Sequence, residues 1–568
     1  MLEFKNESNL DLKITKLKKI TNIISIISVI LALNVVLWAL CFAILDYKAI
    51  YGILFGSSFV AYIIYLALSY KYYKMLAHLK NVKDIYRNHR FRRNGDYNKF
   101  FDTGIDLVNK EDYKELDLDL FGKNSLFQYL SVCKTKYGRL ALKESLTVPQ
   151  NKNKSYTDGI ELFANSEKTL EIEARLSEFK NDAKTLDYDL MYNTFENKIK
   201  FKLLFLLPLL SFIGMIIYVI LIFTLKLNPY FLFLFVGANF FLSKICLRND
   251  VFDIDSNKYY NLIDTYHDLS KELSTIDFDN DDLNEIKEES KKRIDDIKSL
   301  KSLLNILSTR RNLLFNIIFN SLLIFDFVCL LIFNKKTKSI IKLKDYFILI
   351  GKLECMISLS NIGIDNEYYT RGEEGELDSK EIYHPLVKNC VSNSFTLSGG
   401  VILTGSNMSG KTTFMRTLGI AQTLFNAKGL IPAQSYKSHN LNIYTSLRAN
   451  DMLSEGISTF YAEILRMKLI NNKIKEEATL VLIDEIFKGT NAKDRIEASL
   501  KVIDKLNDNK SLFIITTHDF ELCDANNILN YHFNEEYNDD KISFDYKIKP
   551  GKCETKNAIY LLKMADII

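Results

Sequence analysis

Charge of one sign is what this 568-residue sequence lacks overall: 74 Lys and Arg stand against 70 Asp and Glu, a net +4. So close a balance excludes a strongly basic polyanion binder and confines any nucleic-acid contact to a local patch. Paired cysteines are lacking as well. The eight, at positions 41, 133, 246, 329, 355, 390, 523 and 553, include no CxxC pair and no ligand-like cluster. They read as single reduced thiols, which places the soluble parts in a reducing compartment. The length calls for three or four structural units of roughly 100 to 200 residues each.

A different absence organises the N-terminal half. Thr21 to Leu45 contains no charged residue over 25 positions, more than the ~20 that a helix needs to cross a hydrocarbon layer. Ala49 to Tyr70 repeats the pattern after only Asp46, Tyr47 and Lys48, so the two form a hairpin. A second hairpin is expected from Leu203 to Leu225 and Pro229 to about Leu242. Lysines and arginines crowd the outer ends of both pairs, whereas each short turn holds one Lys. By the positive-inside rule the chain is a multi-pass integral membrane protein with both termini and both large soluble segments in the cytoplasm. Leu313 to Phe333 is also apolar, but it carries Asn316, Asn320 and Asp326, and a fifth span would put the C-terminal part outside. It is expected to be a fully buried core helix.

The resulting organisation is a cytoplasmic tail (1–19), a hairpin (20–70), a helical core segment (71–202), a second hairpin (203–246), a helical core and lever segment (247–375) and a C-terminal domain (376–568). From about Glu381 short β-rich runs alternate with helical patterns, the texture of a parallel sheet in an α/β domain. Leu170, Ile172, Leu176 and Phe179 give helical spacing to the first soluble segment. The acidic run from Asp277 to Glu289 reads as a solvated helix face.

Gly405-Ser406-Asn407-Met408-Ser409-Gly410-Lys411-Thr412 fits G-x-x-x-x-G-K-[ST] between an apolar run, Val401 to Leu403, and a helical stretch opening at Thr413. In that context the loop's N–H groups and the helix N-terminus wrap the phosphates of ATP, Lys411 reaches the β and γ phosphates and Thr412 offers its hydroxyl to Mg2+. Thr479 to Ile483 is an apolar strand ending in Asp484 and Glu485. The first carboxylate suits the Mg2+ shell and the second suits the attacking water. His518 ends the next β run, Leu512 to Thr517, where an imidazole can sense the γ phosphate. Leu397-Ser-Gly-Gly400 imitates the start of a transporter signature, but it precedes the P-loop and reads as a plain turn.

Between the two phosphate motifs lies DMLSEGISTFYAE, Asp451 to Glu463. Together with TGSNMSGKTTFMR, DEIFKGTNAKDR and TTHDFEL, it resembles the MutS family. His384-Pro385-Leu386, placed before the first strand, and the pattern from Ser125 to Pro149 (Thr135, Gly138, Leu142, Leu146) resemble it too. The resemblance implies an ABC-class P-loop ATPase domain of α/β fold joined to a mainly helical core. It also implies a homodimer in which Ser458 of one copy completes the ATP site of the other. It assigns Asn407 to the P-loop and suggests Cys390, Val391 and Tyr546 for the adenine pocket. DNA is the partner that the family implies, with a mismatch-repair role. Against that, the chain enters the membrane after about twenty residues without a Phe-x-Glu mismatch reader, and Phe252 to Arg311 is short and partly acidic for a DNA clamp. The sequence-level reading is therefore a membrane-anchored MutS-like ATPase with four transmembrane helices, its protein partner unknown. A transport or membrane-remodelling ATPase without DNA is the alternative. A scaffold that never hydrolyses ATP is disfavoured by Glu485.

Overall fold

The computed structural model describes residues 7–44, 49–151, 153–179, 206–246, 256–309, 313–329, 331–332, 342–406, 408–448, 459–487, 490–538 and 541–553. Asn407 and Ser458 therefore lie outside the described residues, as do the 46–48 turn and the first residues of the second apolar pair.

Two long helices open the chain, α1 (Glu7–Ile44) and α2 (Ala49–Arg93). They lie against each other, with Tyr65 Oη donating to Ile24 O at 2.9 Å and Tyr73 Oη to Thr21 O at 3.3 Å. Lys83 pairs with Asp11 at 2.7 Å near the other end. Helix α2 continues unbroken past Tyr70, because the sequence after it has no Gly or Pro until Gly95. Its polar half docks onto the helical core. That core comprises α3 (Tyr113–Asp117), α4 (Leu126–Leu130), α5 (Lys136–Thr147), α6 (Lys154–Asn165) and α7 (Lys168–Leu176).

The second apolar pair is α8 (Leu207–Leu225) and α9 (Leu232–Cys246), the latter preceded by a 3-10 turn at Pro229–Phe231. Lys226 closes α8 in a left-handed conformation, φ 52°, and Asn228 caps the turn by accepting from Tyr230 N at 3.0 Å. Next come α10 (Ser256–Leu273) and α11 (Asp281–Thr309), a hairpin whose buried face, including Ile263, Leu269, Ile297 and Leu304, lies over the core. Asp281 and Asp282 sit in the first turn of α11, where the helix dipole favours negative charge. Short helix α12 (Leu313–Leu323) precedes α13 (Leu343–Asp365), around which α5, α6 and α11 gather.

Four described helices are long and apolar enough to cross a bilayer, but they fall into two kinds. The apolar windows of α1 and α2 are 0% buried and that of α8 is 6% buried, whereas that of α13 is 83% buried. Helix α13 is thus the centre of the protein core and the other three carry their apolar side chains outward. Leu313 to Phe333 is not the fully buried core helix expected from its sequence. It breaks after Leu323, and Leu313 (72%), Ile318 (50%) and Leu323 (50%) are exposed, while Asn320 and Ser321 are buried where the helix packs on α9. The expectation failed because hydropathy reports how apolar a helix is and is blind to which of its sides is covered.

The pattern from Ser125 to Pro149 is explained by packing. Ser125 and Thr135 cap α4 and α5, each accepting at 3.1 Å from the N–H three residues on. Leu142 and Leu146 are buried. Gly138 lets α5 cross α13 closely, since a Cβ there would collide with the Glu354 carboxylate. Glu354, fully buried, accepts from Lys134 N at 2.8 Å and Thr135 N at 3.2 Å; burial lifts its pKa to about 7.

At the end of α2, His89 is enclosed between Asp365 (2.8 Å to Nδ1) and Glu173 (3.2 Å to Nε2). Arg93 reaches Asp365 as well, at 3.2 Å. Burial by itself lowers the imidazole pKa, but the two carboxylates outweigh it and raise it to about 9. A folded-state pKa above the ordinary value means that this stabilisation is complete below pH ~6.5 and is lost as pH rises through 9. Unfolding followed by circular dichroism between pH 6.5 and 9 is expected to show a loss on the order of 3 kcal/mol, which His89→Gln abolishes. An unchanged pH slope in the variant would remove His89 as its source.

The C-terminal domain holds two sheets. The larger has the order β10-β9-β4-β8-β7-β6, formed by β4 (Gly400–Thr404), β6 (Asn442–Ser446), β7 (Thr479–Asp484), β8 (Leu512–Thr516), β9 (Ile528–Asn538) and β10 (Lys541–Pro550). All pairings are parallel except that of β10 with β9. Its inner strands read as continuous apolar runs, as strands covered on both faces must. The smaller sheet, order β1-β5-β2-β3, uses β1 (Glu373–Glu374), β2 (Leu377–Ile382), β3 (Asn393–Leu397) and β5 (Ser435–Ser438). Helices α14 (Lys411–Asn426), α15 (Thr459–Lys473) and α16 (Ala492–Asp508) complete the domain. Leu397-Ser-Gly-Gly400 is the turn from β3 into β4, as its sequence suggests. His384 follows β2 instead of preceding the first strand.

Candidate functional site

The loop after β4, the end of β7 and the end of β8 meet at the carboxyl edge of the parallel sheet. Leu403 pairs with Thr516, and Thr516 pairs with Asp484, so the three strands end at one level. Ligands bind at such an edge because strand ends and helix N-termini converge there. Gly405 (φ 141°) and Gly410 (φ 105°) give the loop turns that a side chain would strain; a Cβ on Gly405 would lie 2.9 Å from Phe533 O. Lys411, mostly buried, folds over the loop and donates from Nζ to the carbonyls of Gly405 and Ser406, both at 2.8 Å. Ser409 Oγ donates to Ser406 O at 2.8 Å, and Ser406 Oγ is buried without a hydrogen-bond partner among the described residues. Met408, left-handed at φ 73°, points into solvent at 85% exposure.

Thr412 and Asp484, 72 positions apart in sequence, are in contact: Thr412 Oγ1 donates to Asp484 Oδ2 at 2.8 Å. The other carboxylate oxygen accepts from Thr516 Oγ1 at 2.5 Å. Glu485 has φ 55°, a conformation that costs a bulky residue about 1–3 kcal/mol and is held here by its N–H donating to Thr516 Oγ1 at 3.1 Å. The turn swings its carboxylate towards His518, whose Nε2 stands 3.2 Å from Oε1. Behind His518, Arg495 makes two 2.7 Å bonds to Asp519 and so fixes the loop to α16. Asn491 caps that helix, accepting from Asp494 N at 2.9 Å.

These groups open onto a cavity of about 730 Å3, roomy enough for a nucleotide. Cys390, Val391 and Tyr546 line it together with Lys411, Thr412, Thr413, Asp484 and Glu485. Burial pushes the Cys390 thiol pKa up, and its sulfur accepts weakly from His384 N at 3.4 Å. Tyr546 sits in an irregularity of β10 at φ 52°, and its ring is so close to the P-loop that a Cβ on Gly410 would lie 3.2 Å from it. Asn393 fixes that irregularity, donating to Tyr546 O at 3.0 Å and accepting from Ile548 N at 2.8 Å. Among the described residues no group of three or more His, Cys, Asp or Glu forms a metal cluster. The Thr412 hydroxyl and Asp484 carboxylate are nevertheless the hard oxygen donors that suit Mg2+ beside phosphate.

Sequence reasoning missed the link from the helical core into this site. Asp119, between α3 and α4, bonds Arg416 of α14 at 3.1 Å and Arg448, after β6, at 2.6 Å. Asp117, fully buried, accepts from Leu447 N at 2.9 Å and lies 3.3 Å from Arg466 of α15. The Arg466 guanidinium also stacks over the Tyr113 ring at 3.9 Å. Leu118 presses against Gly419 of α14, where a Cβ would come within 2.7 Å. Core and nucleotide domain thus share one hydrophobic cluster. Arg448 and Arg466 stand on either side of residues 449–458. The only sequence signal was the unassigned arginine that ends TGSNMSGKTTFMR.

Residues 401–567 match the family MutS domain V. The C-terminal part of the chain is a MutS domain V. It is similar to the DNA mismatch repair protein MutS of Clostridioides difficile (strain 630), 32% identical over 238 residues, 38% of this chain and 25% of that protein. It is also similar to MutS protein homolog 4 of Mus musculus, 29% identical over 237 residues, 38% of this chain and 24% of that protein. The DNA mismatch repair protein MutS of Leptospira interrogans serogroup Icterohaemorrhagiae serovar copenhageni (strain Fiocruz L1-130) is 29% identical over 259 residues, 41% of this chain and 30% of that protein. The matches span roughly a quarter of these relatives' lengths. The P-loop, Asp484, Glu485 and His518 all lie inside the MutS domain V match, so the site belongs to an ATPase-type domain. Cys390, Val391 and Asn393 of its cavity lie just ahead of the match.

Proposed function

We propose that this chain is a membrane-anchored MutS-family ATPase that binds and hydrolyses ATP with Mg2+ at a site completed by a second copy. The contact between Thr412 and Asp484, with Glu485 and His518 beside it, carries the reading. Lys411 and the loop N–H groups hold the phosphates, and the unpartnered Ser406 hydroxyl gives a further polar contact. Mg2+, when bound, supplies positive charge against the phosphate oxygens. Glu485 orients and deprotonates a water, and His518 holds the Glu485 carboxylate and stands where the γ phosphate can be sensed. Cys390, Val391 and Tyr546 receive the base. Exposed Met408 leaves the loop open on the side where Ser458 of the second copy closes the site.

The anchor in this reading is the outward-facing apolar surface of α1, α2 and α8, extended by the shorter α9, with the nucleotide domain in the cytoplasm. The DNA partner is carried by the names of the relatives alone.

Phosphate release by the purified full chain in detergent tests the enzyme claim. Mg2+-dependent turnover is expected, and Lys411→Ala is expected to abolish ATP binding and turnover together. Turnover unchanged by that substitution would overturn the assignment. Recovery of the full chain in the supernatant after alkaline extraction of membranes would overturn the anchor.

A further inference from the structure

We infer that residues 313–329 form a re-entrant helical element that dips into the cytoplasmic leaflet beside α9 and returns to the side it came from. This inference rests on the membrane-anchor reading and adds a lipid-contacting surface to it. Three observations carry it.

The first is length. Helix α12 has 11 residues, about 16 Å at 1.5 Å per residue, half of the ~30 Å hydrocarbon layer. It then stops at Ile324, which adopts φ 42°, a conformation rarely open to a β-branched residue and one that ends a helix sharply. Asn320 closes the reversal by accepting from Asp326 N at 2.8 Å.

The second is the sorting of side chains. The polar residues face α9: Asn316 accepts from Lys244 Nζ at 2.7 Å, and Ser321 O accepts from Asn239 Nδ2 at 3.2 Å. Asn320 is fully buried and donates to Asn316 Oδ1 at 2.8 Å. The face opposite Asn320 presents Ile318 and Leu322, both exposed. Spaced by four, the two share one side of the helix. A hydrocarbon environment demands this arrangement, with polar groups satisfied inward and apolar groups outward. The occupant is therefore acyl chain.

The third is the return path. Ile324, Phe327 and Cys329 pack with Leu209 and Phe212, at the start of α8, and with Ile306 near the end of α11. Both neighbours lie at the cytoplasmic end, where α11 joins the core. A full crossing would carry Phe327 to the far face, away from Ile306.

The test uses the full chain in sealed phosphatidylcholine vesicles with bromine at set acyl positions. Trp38, the one tryptophan, lies in α1 and reports on the spans. In a Trp38→Phe background, Leu322→Trp, with Ile318→Trp as the second variant, is expected to be quenched by brominated chains about as strongly as Trp38 is in the natural protein. Quenching of Trp38 without quenching at 322 or 318 would overturn the re-entrant element and leave the spans standing; absence of quenching at all three would overturn both. Crossing is tested with an impermeant maleimide. Lys226→Cys, in the α8–α9 turn, and Leu331→Cys are expected to label from opposite sides of the vesicle, and labelling from the same side would overturn the return path.

Discussion

Glu485→Gln is expected to lower kcat for ATP hydrolysis by about 10^2- to 10^4-fold, the range over which a positioned general base contributes, with ATP affinity nearly unchanged. The amide keeps the size of the carboxylate and can still meet His518, 3.2 Å away, so the backbone held by Thr516 has no reason to move. Phosphate contacts from Lys411 and the loop are untouched, which separates this variant from Lys411→Ala, where binding itself goes. Single-turnover phosphate release combined with nucleotide-binding titration distinguishes the two. A kcat within threefold of the natural protein would reassign the base. His518→Ala is the companion measurement, because a residue that holds the base affects kcat less than the base does.

Asp117→Ala is expected to be the most destabilising change outside the site, by about 3–5 kcal/mol, the cost of leaving a buried charge without its partner. Among the described residues Arg466 would keep only the Tyr113 ring, Ser446 and a backbone carbonyl as partners, and Leu447 N would lose its acceptor. Asp117→Asn keeps an acceptor for Leu447 and is expected to cost less. Chemical denaturation of the full chain measures both; a loss below ~1 kcal/mol for the alanine variant would show that solvent or a neighbouring carboxylate replaces Asp117. The effect should reach activity as well, since α15 begins at Thr459, immediately after Ser458.

What could be read in the sequence was local. The P-loop, the strand ending in Asp484 and Glu485 and the run ending in His518 each declare themselves within a few residues, because backbone approach to phosphate and strand-end carboxylates demand particular residues at fixed spacing. That Thr412 and Asp484 belong to one Mg2+ site was an expectation of their motifs; their direct hydrogen bond was not. Asp117 and Asp119 were invisible for the opposite reason. Their partners lie about 300 positions away or more, and an aspartate in a turn carries no mark of the arginine it will meet. Tyr546 was legible through the family resemblance, but Asn393, which holds its backbone, was not, since an Asn opening a strand has many uses. The fate of Leu313 to Phe333 depended on which face of an apolar helix is covered, and composition does not encode that. Asn407 and Ser458 stay as the sequence left them.

The unbroken course of α2 has a mechanical meaning. Its 45 residues make a rod of roughly 68 Å, one end packed on α1 alone and the other riveted to Asp365, eight residues before β1 opens the nucleotide domain at Glu373. Past Gly56 the rod has no Gly or Pro hinge and does not absorb rotation along that stretch. If its apolar end tilts by about 5°, geometry alone requires the other end to travel roughly 6 Å or the rivet to yield. Under the proposed membrane anchor, a change in bilayer thickness or lateral pressure would reach the nucleotide domain through a lever arm, with the His89–Asp365 contact as its fulcrum.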